Sequence, residues 1–266
     1  MSKKRILCYL LAVVVFAGTI ASAAPVDPHS TLMPLQMQVF SNGMRVIVKE
    51  IPSYPIATVN VWVNAGSVHD PDGLSGLAHF FEHLIFQGTP QRPKGQISSE
   101  VESLGGYLNA MTSYDYTTYF IVVPSEHAAQ AMEIQADALL NPLFDQQEID
   151  RERSVIHEEI RLRDSSPQTY LVDRALEGLF EDTIYSNPVI GTIEDLDKIN
   201  REQMVKFHNE YYVPNNMVLV VTGNVDAGCI FEQAKELYGG MDPGVIPAGE
   251  HIVLPQLEQS VTSSSE

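Results

Sequence analysis

The chain has 266 residues, 44% of them hydrophobic, with 16 Lys and Arg against 34 Asp and Glu, a formal net charge of −18. That acidity disfavours nucleic acid and anionic membrane surfaces as partners. With only two cysteines, Cys8 and Cys229, the composition also argues against a small disulfide-stapled fold.

The first 23 residues read as a secretory signal peptide. Lys3, Lys4 and Arg5 form a basic start, Ile6 to Ile20 an apolar run of 15 residues, and Ala21-Ser22-Ala23 a small-residue cleavage site. Fifteen apolar residues are short for a bilayer span, so cleavage before Ala24 is expected, with no stable membrane span afterwards. Cleavage removes three positive charges and takes the net charge from −18 to −21. The expected location is outside the cytoplasm, periplasmic or secreted, as for an exported bacterial protein. Residues 24–35 read as a flexible, Pro-containing lead-in.

Gln36 to Phe40 and Met44 to Lys49 read as strands joined by Ser41-Asn42-Gly43, a strong hairpin signal. Ala57 to Asn64 alternates as a third strand. Ser75 to Phe86 predicts a helix, with Ser75 able to cap its start. Gln96 to Leu104 predicts a short helix ending at Gly105-Gly106, followed by strands over Tyr107–Met111 and Tyr116–Val123. Glu126 to Leu140 has helical periodicity. Asp145, with Glu148 three residues on, opens a long helix to about Arg163. Helices over Gln168–Phe180 and Asn200–Tyr211, a strand over Asn216–Thr222 and a helix over Asp226–Leu237 complete the domain, residues 36–240. Residues 241–266 form a Pro-, Gly- and Ser-rich tail. Strands come early in hairpins and helices cluster later, which predicts an α+β fold. An antiparallel sheet of about five to six strands is expected, packed by helices on one face.

Within the Ser75–Phe86 helix the order is His79-Phe80-Phe81-Glu82-His83. At about 100° per residue, two histidines four apart stand one above the other, with Glu82 in the same arc. Two imidazoles so spaced can hold one Zn²⁺, and a carboxylate between them can take a proton from a water the metal polarises. The rest of the helix (Leu77, Phe80, Phe81, Leu84, Ile85, Phe86) is apolar almost all round and is expected to be buried, where three ionisable side chains are costly unless paired or metal-bound.

Catalytic zinc usually takes three protein ligands and keeps one position open. Glu152, Glu158 and Glu159 on the long helix are the candidates. Glu152 and Glu159 are seven apart and share a face, expected to point inward with Val155 and Ile156, whereas Glu158 groups with Arg151 on a solvated face. Glu159 is therefore the expected third ligand, and Glu152 the acid that orients His79 or His83 through a ring N–H. The ligand types alone would also admit Mn²⁺ or Co²⁺. His69, His127, His157, His208 and His251 show no partner spacing and read as structural or surface residues.

These residues resemble the pitrilysin/insulinase zinc peptidases, which include the mitochondrial processing peptidase. The resemblance runs from about Met37 to Gly240. His79 to His83 fit the family's inverted zinc motif, Glu159 follows His83 by 76 residues, and Glu152 lies seven before it. Gly66-Ser67, Gly88-Thr89, the run Gly105 to Ala110 with Thr112, Asp115 to Tyr119, Pro188 to Thr192 and Tyr211 to Asn216 also match. The resemblance implies one zinc per chain, Glu82 as the base, and a peptide substrate that adds as an extra strand beside Asn109 and Ala110. It also implies a second domain of similar size facing this one, here expected as a second pitrilysin-type subunit in a hetero- or homodimer. The alternative activity is a non-catalytic scaffold or peptide-binding subunit, against which the intact motif argues.

Overall fold

The computed structural model describes residues 33–247 apart from Asp182. The signal-peptide reading, most of the lead-in and the far end of the tail lie outside the described residues. Six strands form one sheet: β1 (Gln36–Val39), β2 (Arg45–Glu50), β3 (Ile56–Val63), β4 (Tyr107–Thr112), β5 (Thr117–Pro124) and β6 (Met217–Gly223). The helices are α1 (Leu77–Ile85), α2 (Gln96–Ser103), α3 (Ala128–Leu140), α4 (Gln146–Asp164), α5 (Pro167–Leu179), α6 (Ile193–Leu196), α7 (Arg201–Tyr211) and α8 (Ala227–Tyr238). The α+β architecture expected from the sequence is the one found.

The strand order is β1-β2-β6-β3-β5-β4. Four of the five pairings are antiparallel, but β2 and β6 are parallel, so the sheet is mixed where an antiparallel one was expected. The reason is topological. β2 and β3 run in opposite directions with a one-strand gap between them. Any strand that fills the gap must be parallel to one of the two, and β6 returns from the far end of the chain to fill it.

Burial follows the period of two that strands impose. Ala57, Val59, Val61 and Val63 of β3, Tyr119, Ile121 and Val123 of β5, and Leu219 and Val221 of β6 are buried on the helix side. Helix α3 packs on β3 and β5, and α8 on β2. A buried amide fixes α3 against the sheet, with Gln135 Nε2 donating to the Tyr119 carbonyl at 2.7 Å. The predicted hairpin turn is present. Gly43 takes φ +87°, a left-handed conformation that glycine adopts without strain, and Asn42 Oδ1 accepts from the Met44 amide at 3.1 Å.

Two elements position the functional side chains. Helix α1 packs across α4 and against β4. Among the described residues strand β4 pairs only with β5, so its other side is an open edge there.

Candidate metal centre

Helix α1 buries Leu77, Ala78, Phe80, Phe81, Leu84 and Ile85. Its polar arc, His79, Glu82 and His83, is half-buried. The start of the helix is not capped by Ser75. The N-cap residue is Gly76, with φ +92°, and the capping oxygens come from Asp70, outside the helix. Asp70 accepts from the Gly76 and Ala78 amides, both at 2.8 Å. Burial raises the Asp70 carboxyl to about 8, against the lowering effect of the Ala78, Gly76 and Leu77 amides. Ser75 cannot serve because its own backbone is held elsewhere. Its amide donates to Asp195 at 3.3 Å, and Gly191 presses so close that a Cβ there would lie 2.1 Å from the Ser75 carbonyl oxygen.

The Nε2 atoms of His79 and His83 converge on one carboxylate. His79 Nε2 lies 3.9 Å from Glu159 Oε1, and His83 Nε2 lies 3.5 Å from Glu159 Oε2. The two rings stand 4.8 Å apart between centroids. Burial, with smaller contributions from His83 and Arg163, lowers His79 to about 3, so it is neutral at ordinary pH and has a lone pair to give. His79 Nδ1 is buried without a hydrogen-bond partner among the described residues. Ligands about 2.0–2.2 Å from a shared tetrahedral zinc stand roughly 3.4 Å apart, and here one donor atom from each of the three residues lies within 4.8 Å of the other two. His79, His83 and Glu159 are the one group of three or more His, Cys, Asp or Glu residues among the described residues with a metal-holding geometry.

Helix α4 carries Glu159, whose side chain is 46% exposed rather than turned inward, and a second residue expected inward is exposed as well. Ile149, Glu152, Ile156 and Ile160 form its buried stripe. Val155 does not point inward and is 46% exposed. At about 100° per residue it is rotated a quarter turn from Ile156, whereas Glu152 and Glu159 lie between the two, at the rim of the stripe. Glu158 faces solvent and pairs with Arg161. Glu152 is buried, and its Oε2 lies 3.2 Å from His83 Nδ1. An acceptor there fixes the proton on Nδ1 and leaves Nε2 free. Gln87, which the sequence did not single out, donates to the other Glu152 oxygen at 3.1 Å and to the His83 carbonyl at 3.3 Å. Its position four residues after His83 was the available signal.

Glu82 is raised above the ordinary carboxylate range by burial, against a lowering hydrogen bond from Thr112. The Thr112 hydroxyl donates to Glu82 Oε2. Asn109 and Ala110 lie on edge strand β4, with the Asn109 side chain exposed. The Ala110 amide turns away from the β5 ladder and is held by Asn109 Oδ1 at 2.9 Å. Two of the other described histidines have clear structural partners. His69 packs edge-on to Tyr211, and His208 Nε2 donates to the Leu139 carbonyl at 2.8 Å.

Residues 45–193 match the family described as Insulinase (Peptidase family M16). The chain belongs to peptidase family M16. Residues 198–264 match the companion Peptidase M16 inactive domain. An uncharacterized zinc protease of Mycobacterium bovis is 35% identical over 216 residues, 81% of this chain and 49% of that protein. A probable mitochondrial-processing peptidase subunit beta of Arabidopsis thaliana is 35% identical over 197 residues, 74% of this chain and 37% of the relative. Among solved structures, a protease from Helicobacter pylori superposes with a TM-score of 0.79 at 29% identity, covering 84% of this chain and 55% of that one. The chain thus spans about half the length, or less, of these M16 relatives. Several relatives are named zinc proteases, and others are named as the beta subunit of the mitochondrial-processing peptidase. No helix among the described residues is long and apolar enough to cross a membrane.

Proposed function

We propose that this chain is the metal-binding half of a zinc-dependent endopeptidase acting on peptides or unfolded protein segments. The observation that carries the reading is the convergence of His79 Nε2, His83 Nε2 and the Glu159 carboxylate at 3.5–3.9 Å, with Glu82 beside them. These three side chains hold one Zn²⁺, and Glu152 holds His83 in the tautomer that binds it. Zinc, when bound, supplies a Lewis acid for the scissile carbonyl and lowers the pKa of water to about 7.

The chain's own residues do the rest. Glu82 takes the proton from the attacking water and returns it to the leaving amine. Its burial keeps the carboxyl basic enough for that exchange. The open edge of β4 at Asn109 and Ala110 pairs with the substrate backbone, which gives affinity with little demand on sequence. The Ala110 amide is oriented for such pairing, and Asn109 Oδ1 gives way to the substrate carbonyl. A second pitrilysin-type domain or subunit closes the cleft. The reading of residues 1–23 as a signal places the enzyme outside the cytoplasm.

The test is cleavage of an unstructured fluorogenic peptide by the purified chain, with Glu82→Gln as control. Chelator-sensitive cleavage that is lost in the control supports the mechanism. Cleavage by zinc-loaded Glu82→Gln at the wild-type rate contradicts it. If the wild-type chain binds zinc but is silent, the assay is repeated with the second half supplied as a separate polypeptide.

A further inference from the structure

Thr112 is the last residue of β4, and it is the point where the open sheet edge touches the acid of α1. Its hydroxyl donates to Glu82 Oε2, the one side-chain hydrogen bond to that carboxylate among the described residues. Its place on the strand is fixed by pairing. Thr112 stands opposite Thr117 in the β4–β5 register. The Thr117 hydroxyl is anchored on the Ala65 carbonyl at 2.8 Å and lies 3.4 Å from the Thr112 hydroxyl. Asn109 and Ala110 belong to the same six-residue strand.

We infer that Thr112 is a positioning residue for Glu82. It occupies one carboxylate oxygen, leaves the other to face the attacking water, and ties the placement of the base to the strand that the substrate extends. The inference rests on Glu82 acting as the base. A carboxylate at the end of a flexible side chain would otherwise sample several rotamers, and only some of them face the water. Holding it from β4 means that a substrate strand added at Asn109 and Ala110 and the proton acceptor share one rigid support.

The substitutions Thr112→Val and Thr112→Ser separate this role from packing, because valine keeps the shape and serine keeps the hydroxyl. Both are measured in the assembled, zinc-loaded enzyme, and zinc content is expected to be unchanged in both. Thr112→Val should lower kcat by roughly tenfold to a hundredfold, the scale of a lost hydrogen bond to a charged group, with KM within about twofold. Thr112→Ser should recover kcat to within about threefold of wild type. Crystal structures of the zinc-free variants give a readout independent of activity. Glu82 should leave its wild-type rotamer in the valine variant and keep it in the serine variant. A Thr112→Val kcat within about twofold of wild type, a rise in KM alone, equal damage in both variants, or an unmoved Glu82 would each overturn the inference. Failure of the base assignment shows separately, as Glu82→Gln cleaving at the wild-type rate.

Discussion

Removing the Glu152 carboxylate should weaken zinc binding without removing any ligand. Glu152 is 8% exposed, with one oxygen 3.2 Å from His83 Nδ1 and the other 3.1 Å from Gln87 Nε2. In Glu152→Ala both donors lose their acceptor in a buried setting. Gln87 retains the His83 carbonyl at 3.3 Å, but the His83 ring N–H has no replacement. The imidazole is then free to rotate or to take the other tautomer, which puts the proton on Nε2, the atom that faces Glu159. Losing such a partner typically weakens metal affinity by about 10–100-fold, or roughly 1.4–2.7 kcal/mol. Glu152→Gln keeps an acceptor of the same length and should fall near the lower end. The assay is competition for zinc against a chromophoric chelator at fixed pH, with circular dichroism to show that both variants are folded. Zinc affinity of folded Glu152→Ala within about twofold of wild type would refute the claim that this carboxylate sets the ligand.

Two further substitutions probe how α1 is held. At Gly191, φ is +78° and an added Cβ would sit 2.1 Å from the Ser75 carbonyl oxygen. Gly191→Ala should therefore cost roughly 2–3 kcal/mol and lower Tm by about 5–10 °C, read by thermal melting of the zinc-free chain. An unchanged Tm would show that the contact yields freely. Burial raises the Asp70 carboxyl to about 8, so the folded chain holds this proton more tightly than the unfolded chain, where aspartate titrates near 3.9. Stability from this group is present below about pH 4 and lost as pH rises towards 8. The cost of Asp70→Asn in denaturant unfolding should therefore shrink between about pH 5 and pH 8. A cost that grows over that range would mean that the Gly76 and Ala78 amides keep Asp70 ionised.

The residues of the candidate metal centre could be singled out in the sequence because their signals are local. His79, Glu82 and His83 lie within five residues of one helix, and the seven-residue step from Glu152 to Glu159 places both on one side of another. Long α4 with its Asp145 cap, and the hairpin at Ser41-Asn42-Gly43, were legible for the same reason. What the sequence did not show depends on residues brought together from a distance. Asp70 caps α1 from six residues before Gly76, across a turn rather than at the N-cap. Thr112 reaches Glu82 from a strand 30 residues away, and β6 enters the sheet beside β2 after more than half of the chain has intervened. Val155, expected inward because it shares a side with Glu152 and Glu159, is exposed because the buried stripe centres about 100° away, on Ile149, Ile156 and Ile160.

The measurement closest to the central claim is anomalous diffraction at the zinc edge from a crystal of the chain grown with zinc. The account predicts one peak per chain, within about 2.0–2.2 Å of His79 Nε2, His83 Nε2 and a Glu159 oxygen, and no such peak in His83→Ala. A zinc-loaded wild-type crystal with no peak among these three side chains, or with the metal held elsewhere, would contradict it.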